Sequence, residues 1–368
     1  MRRLVQKGIE EGLFPGAVVC VSRNGDPLYY EAHGKAEATP AERTMTLDTR
    51  FDLSSLTQVV ATLPAVLRTV QMGKLSLIDP IARYLPEFAT GVDRHAKGQI
   101  SVFQLLSHTS GLPAWKPFFL TARGVKAYLR ALADTPLEAA PGEKAIQSDL
   151  GYLLLGFALE RIWDRPLQDV CERLVFRPLD LNQTSFATGE PLPTELCAAS
   201  EVGNECERRL CAPYGINHFP WREDVICGEA QDGNAFYGLD GVAGHAGLFS
   251  TAADLNRYAE VWVRKGVFRR ERFLDATLVT LATQTHTKDL AGEGGMQRGF
   301  GWETAHPGGT LGEATPAMSF GMVGKGHSVA IWCDPVSKMT AVTLTNGWHP
   351  RGRDGLQEWL KVLHKRIF

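Results

Sequence analysis

The 368-residue chain has no long hydrophobic run, no excess of either charge and no even set of cysteines, and each absence excludes something. Apolar stretches such as Tyr152–Leu159 fall far short of the roughly 20 residues a bilayer-spanning helix needs. No membrane partner is expected. With 39 Lys and Arg against 41 Asp and Glu, formal net charge is -2, so no positive field exists to hold a polyanion, and nucleic acid is excluded as an expected partner. The N-terminus passes from Met1-Arg2-Arg3 into Gln6, Lys7, Glu10 and Glu11 without the apolar segment of a signal peptide, which predicts a cytoplasmic protein. Seven cysteines in such a chain read as reduced thiols and not as a disulfide framework. Four of them, Cys197, Cys206, Cys211 and Cys227, share a short region with His218, yet their spacings match no zinc pattern. Ordinary buried thiols are expected there, with neither metal nor cofactor. Internal repeats and low-complexity segments are also missing.

What is present is an ordinary globular composition, 44% hydrophobic and 22% charged, long enough for one large or two modest domains. Two apolar, β-branched runs, Ala17–Val21 and Pro27–Glu31, flank Arg23-Asn24-Gly25-Asp26. Asn-Gly between such runs predicts a hairpin. Near the other end, Val329–Cys333 and Met339–Thr345 flank Asp334-Pro335-Val336-Ser337, a second hairpin, and 354–367 reads as an amphipathic helix. Between these ends the patterns are mostly helical, joined by Pro/Gly-rich connectors such as Ser110-Gly111-Leu112-Pro113 and Pro141-Gly142. The expected fold class is therefore α/β (α+β): an antiparallel sheet flanked by helices and formed by both chain ends (1–74 and 236–368), plus an inserted, mainly helical domain (75–235).

From Ser55 onward, Leu56, Val59, Val60, Leu63, Leu67 and Val70 recur at helical spacing, with Ser54 or Ser55 as N-cap and Pro64 predicting a kink. A serine at a helix N-terminus suits nucleophilic attack, because free backbone N–H groups there can stabilise an oxyanion. A simple capping serine fits that spacing equally well.

The surrounding motifs decide between the two. Phe51-Asp52-Leu53-Ser54-Ser55-Leu56-Thr57, Gly73-Lys74-Leu75-Ser76-Leu77-Ile78-Asp79-Pro80 and Tyr84-Leu85-Pro86-Glu87-Phe88 resemble the nucleophile region of β-lactamase-related serine hydrolases and D-Ala-D-Ala carboxypeptidases. In order there follow Leu105-Leu106-Ser107-His108-Thr109-Ser110-Gly111-Leu112, Ser148-Asp149, Gly241 to Thr251 (GVAGHAGLFST) and Thr345-Asn346, all similar to that family. The resemblance spans most of the chain. It implies the β-lactamase/transpeptidase fold, with Ser55 at the nucleophile position and with Asp149, Met322, Val323, Gly324, Lys325 and Asn346 around the cleft.

Against that family pattern, the proton-handling positions have changed. The lysine of Ser-x-x-Lys is Gln58, and an amide cannot accept a proton at neutral pH, so Ser55 stays a weak nucleophile. The tyrosine expected two residues before Asp149 is Gln147, equally without a titratable group. The strand motif that binds a substrate carboxylate, usually opened by Lys or His, reads Met322-Val323-Gly324, and Met322 carries no charge. Gln231 stands where close relatives usually have histidine.

The first functional expectation is thus a non-catalytic relative that keeps a cleft for a small molecule or peptide, muropeptide-like by fold analogy. A second is a serine hydrolase with a rebuilt base, for which Lys325, His327, His108 and His245 are candidates; the resemblance gives the last two a loop-holding role. A third is a purely structural part in a complex.

Overall fold

A computed structural model of the chain describes residues 1–215, 218–292, 297–306, 308–310, 312, 315–324, 328–349 and 355–368. Lys325 and His327 lie outside the described residues. The strands of the principal sheet are β1 (Gly16–Arg23), β2 (Asp26–Glu37), β3 (Arg43–Thr44), β4 (Glu303–Thr304), β5 (Phe320–Val323), β6 (Val329–Asp334) and β7 (Met339–Thr345). Among the described residues they pair in the order β4-β5-β6-β7-β1-β2-β3, antiparallel throughout. The chain ends therefore meet at β1 and β7, in register from Ala17 opposite Thr345 to Arg23 opposite Met339.

The first hairpin turns at Asn24 and Gly25, with φ of 55° and 93°. Both values are left-handed, as a two-residue turn matching strand twist requires, which is why Asn-Gly marks the place.

β1 is buried on both faces, and its alternation assigns each residue to one of two cores. Ala17, Val19 and Val21 pack with Val5, Trp359, Leu360 and Leu363 from the terminal helices α1 (Arg2–Glu10) and α5 (Leu356–Ile367). Val18 and Cys20 face the opposite core, which includes Leu255, Tyr258 and Trp262 of helix α4 (Ala252–Val263). Each fully buried side chain of this size contributes about 1.5–3 kcal/mol, so the interleaving fixes the register: a one-residue slip would exchange the two sets.

The segment after Phe51 departs from one kinked helix. It comprises a 3₁₀ turn at Ser54–Leu56, a π turn at Gln58–Thr62 and then α2 (Leu63–Gln71). Pro64 falls in the first turn of α2, where its missing N–H is no loss, and the wide turn upstream absorbs the irregularity that a proline inside a regular helix would cause. The N-cap of the Ser54–Leu56 turn is Leu53, and no side chain caps it, so neither Ser54 nor Ser55 is the expected cap.

Between the two ends of the chain lie α3 (Asp149–Trp163) and the shorter helices around it. Ten consecutive residues of α3, from Leu150 to Leu159, are buried, so it forms the axis of the helical block. Its N-cap is Ser148, whose hydroxyl accepts from Gly151 N and donates to Pro113 O. With Ser148 serving the helix as cap, the Asp149 side chain is directed to Gln58.

Candidate active site

Ser55 is placed by a strained backbone. Ser54, immediately before it, has φ of 49°, a left-handed conformation that costs a non-glycine residue on the order of 1–3 kcal/mol. Three bonds hold the strain in place. Ser54 N donates to Asp52 Oδ1 at 2.7 Å, Thr57 Oγ1 donates to Ser54 O at 2.7 Å, and Leu53 N donates to Leu248 O at 2.8 Å. Asp52 also accepts Gln231 N at 2.8 Å on its other oxygen. Burial pushes this carboxyl up to about 6, with nearby Asp232 adding to the rise and the two N–H bonds opposing it.

Ser54 and Ser55 open onto a cleft of about 440 Å³ whose lining also includes Trp115, Gln147, Asp149, Leu210, Asp232, His245, Arg298, Glu303, Met322, Val323 and Gly324. The structure thus gathers Ser55, the Gln147–Asp149 segment and the Met322-Val323-Gly324 strand from three separate stretches of sequence. Gly324 closes one wall through a backbone bond to Val329 O at 2.7 Å, and a Cβ there would lie 2.5 Å from Val329 Cγ2. Only glycine fits that approach.

Gln58 is fully buried behind Ser55 and donates through Nε2 to Asp149 Oδ1 at 2.8 Å, while its Oε1 accepts no hydrogen bond from the described residues. Gln147 Oε1 accepts from Arg298 Nη2 at 2.6 Å, and Arg298 Nη1 donates to Gly301 O at 3.2 Å. The two amides therefore have defined hydrogen-bond geometry.

Several sequence candidates sit elsewhere. Asn346 is not in the cleft wall: its Oδ1 accepts from Gly16 N at 2.9 Å and its Nδ2 donates to Lys35 O and Ala36 O. It joins the ends of β7, β1 and β2, and its binding assignment is corrected to a structural one because both ends of its amide are committed to backbone. His108 is buried and its Nδ1 accepts from Ser148 N at 3.0 Å. Burial, with nearby Arg298 in support, holds its pKa well below 6.5, so it is a neutral loop clamp. Gln231 turns its amide to Glu201 at 2.9 Å, and its neighbour Asp232 faces the cleft instead. Within the cysteine cluster, Cys197, Cys211 and Cys227 are buried and, among the described residues, not joined in a disulfide. Among the described residues no group of three or more His, Cys, Asp or Glu side chains could hold a metal ion.

Arg298, Glu303, Asp232, Trp115 and Leu210 were not singled out by motif. Arg298 stands just before Gly299-Phe300-Gly301-Trp302, and an arginine next to two glycines was the one available hint of a buried loop cation.

The Beta-lactamase family model matches residues 1–364. The chain belongs to the β-lactamase family. An Escherichia coli (strain K12) protein named "Putative D-alanyl-D-alanine carboxypeptidase" is 30% identical over 375 residues, covering 95% of this chain and 82% of that protein. A Bacillus subtilis (strain 168) protein named "N-acetylmuramyl-L-alanine amidase" is 33% identical over 308 residues, covering 78% of this chain and 67% of the relative. Among solved structures, a penicillin-binding protein homologue from Caulobacter crescentus superimposes with a TM-score of 0.73 at 20% identity, covering 99% of this chain and 96% of that one. Within this β-lactamase-family fold, no described helix is long and apolar enough to cross a membrane.

Proposed function

We propose that this β-lactamase-family protein binds a cell-wall-type peptide in its cleft and does not turn it over at the rate of a working hydrolase. The observation that carries the reading is the pair of amides at the proton-handling positions, Gln58 on Asp149 and Gln147 on Arg298. Neither amide gains or loses a proton near neutral pH, so neither can take the Ser55 hydroxyl proton or return one to a leaving group. The ligand class is drawn from the relatives, whose names refer to D-alanyl-D-alanine and N-acetylmuramyl-L-alanine bonds. A 440 Å³ cleft with Trp115, Leu210 and Met322 beside a few polar groups has the size and character of a small-ligand site. An odd count of seven cysteines, none disulfide-bonded among the described residues, supports a reducing, cytoplasmic setting.

The test pairs binding with turnover. A synthetic muropeptide ending in D-Ala-D-Ala should bind by calorimetry, while release of D-Ala and hydrolysis of a chromogenic cephalosporin stay at background. Turnover approaching about 1 s⁻¹, abolished by Ser55→Ala, would overturn the reading.

A further inference from the structure

A second cavity, of about 360 Å³, shares no lining residue with the cleft. Three arginines from two separate segments line it: Arg68 of helix α2, and Arg269 and Arg272 of a short hairpin in which Val267–Phe268 pairs with Glu271–Arg272. The hairpin belongs to the densest run of positive charge in the chain. Arg264, Lys265, Arg269, Arg270 and Arg272 fall within nine residues, with Glu271 the one acid among them.

The turn of this hairpin is built from unsuitable residues. Arg269 and Arg270 have φ of 45° and 71°, the left-handed pair of values that Asn24-Gly25 supplies in the first hairpin of the same chain. Side chains other than Asn or Asp are disfavoured in that conformation. The backbone therefore does not account for two arginines at this place.

The positive charge of the cavity is incompletely neutralised. Arg269 pairs with Asp180 in the same wall. Arg68 and Arg272 spend their hydrogen bonds on carbonyls instead: Arg68 Nη1 donates to Phe273 O at 2.7 Å and Arg272 Nη1 to Lys265 O at 2.8 Å. Among the described residues neither makes an ion pair, and Asp275 acts on Arg68 through space only. Arg68 is half-buried and its Nε has no acceptor among the described residues, so its charge is partly desolvated without a contacting anion. The acids of the lining are Asp180 and Glu271, so three guanidiniums face two carboxylates. Beside them stand two rings. The Arg68 guanidinium is 5.1 Å from the Phe273 ring centroid and that of Arg269 is 5.2 Å from the Phe268 centroid.

We infer that this cavity binds a small organic phosphate. Guanidiniums arriving from two segments suit a tetrahedral dianion, whose oxygens point in several directions, better than a planar carboxylate, whose two oxygens a single guanidinium fork satisfies. Phe268 and Phe273 give the organic part a surface to pack on, and the volume is on the scale of small-ligand pockets. A chain of net charge -2 offers no positive track leading away from the cavity, so the ligand is one phosphate group and not a polyanion.

The experiment is calorimetry of the full-length protein with phenyl phosphate, inorganic phosphate and benzoate, at neutral pH and low salt. Phenyl phosphate should bind with a submillimolar Kd, and inorganic phosphate and benzoate at least tenfold more weakly. Arg269→Gln and Arg272→Gln, both on the exposed hairpin, should each weaken phenyl phosphate at least fivefold with the circular dichroism spectrum unchanged. Glu271→Gln should tighten binding, a change of opposite sign that general damage to the hairpin would not produce. Vesicles of phosphatidylcholine containing phosphatidic acid separate a lipid headgroup from a soluble phosphate, and no co-sedimentation is expected. Absence of phenyl phosphate binding, equal binding of benzoate or inorganic phosphate, unchanged affinity in both arginine variants, or co-sedimentation with the vesicles would overturn the inference. None of these outcomes bears on the cleft, whose reading stands or falls by its own test.

Discussion

At the scale of the residue, one substitution tests the proposal that missing proton-handling groups, and not a collapsed site, keep Ser55 from turnover. Gln58→Lys places an amine one turn from Ser55 on the same face. The structure adds a condition that spacing could not supply. Asp149 Oδ1 is 2.8 Å from the Gln58 amide, so a lysine there would meet a carboxylate that favours its charged form and holds it as an ammonium. Gln58→Lys alone should therefore raise Ser55 acylation modestly, and Gln58→Lys with Asp149→Asn should raise it further, toward the 10²–10⁴-fold range of general-base assistance. Mass-spectrometric labelling of each variant checks the order. If the single variant equals or exceeds the double, Asp149 does not control the amine. Gln147→Tyr added to the pair should act non-additively, because the Arg298 guanidinium now on Gln147 Oε1 at 2.6 Å would favour the tyrosinate.

At the scale of the element, helix α3 shows how a cap frees a neighbouring side chain for the site. Ser148 Oγ accepts from Gly151 N and donates to Pro113 O at 2.6 Å, so it ends the helix and ties it to the preceding loop, leaving the Asp149 carboxylate for Gln58. Ser148→Ala removes both bonds in a buried position, and a loss of about 1–2 kcal/mol in unfolding free energy is expected. Urea unfolding followed by circular dichroism measures it, and a loss below about 0.3 kcal/mol would show that the cap is replaceable. The elements legible in the sequence were those with strong local chemistry. Asn24-Gly25 announced its hairpin, and the β-branched apolar run Ala17–Val21 predicted a strand. The less legible elements depend on tertiary support. The Ser54–Leu56 and Gln58–Thr62 turns replace a regular helix because backbone bonds to Asp52, Thr57 and Leu248 hold Ser54 at φ of 49°, and no local pattern encodes that. Asn346 shows the opposite failure. A motif position next to a strand end looked like a ligand contact, and three backbone partners consume its amide.

At the scale of the whole molecule, the site and the sheet depend on histidines kept neutral by burial, and this sets a direction for stability against pH. His108, His286, His349 and His364 all have pKa values depressed below 6.5, burial being the largest cause in each, and His364 is brought down to about 3. In the unfolded chain each takes up a proton as pH falls through about 6.5, while the folded chain resists, so the unfolded state binds more protons and folding stability drops on acidification. Asp52 works the other way. Its pKa is raised to about 6, so the folded chain holds the extra proton between about pH 4 and 6 and stability from this group increases as pH falls through that window. Four depressed histidines oppose two raised carboxyls, Asp52 and Glu160. The lowered carboxylates of Glu31, Asp79 and Glu87 also lose their stabilisation in acid, and the net expectation is loss of stability below pH 6.5. His364 is the cleanest group to isolate, because it packs far from the cleft with ring centroid 5.8 Å from Trp332 and 5.6 Å from Phe368. Its share is at most on the order of 5 kcal/mol, lost progressively as pH falls from about 6.5 toward its folded value. His364→Phe keeps the ring and removes the titration. Urea midpoints measured from pH 8 to 4 should therefore fall more gently in His364→Phe than in the parent, with the two curves converging in slope above pH 7. If the slopes match below pH 6.5 as well, His364 is protonated in the folded protein, and the helix it anchors against the sheet is open to water.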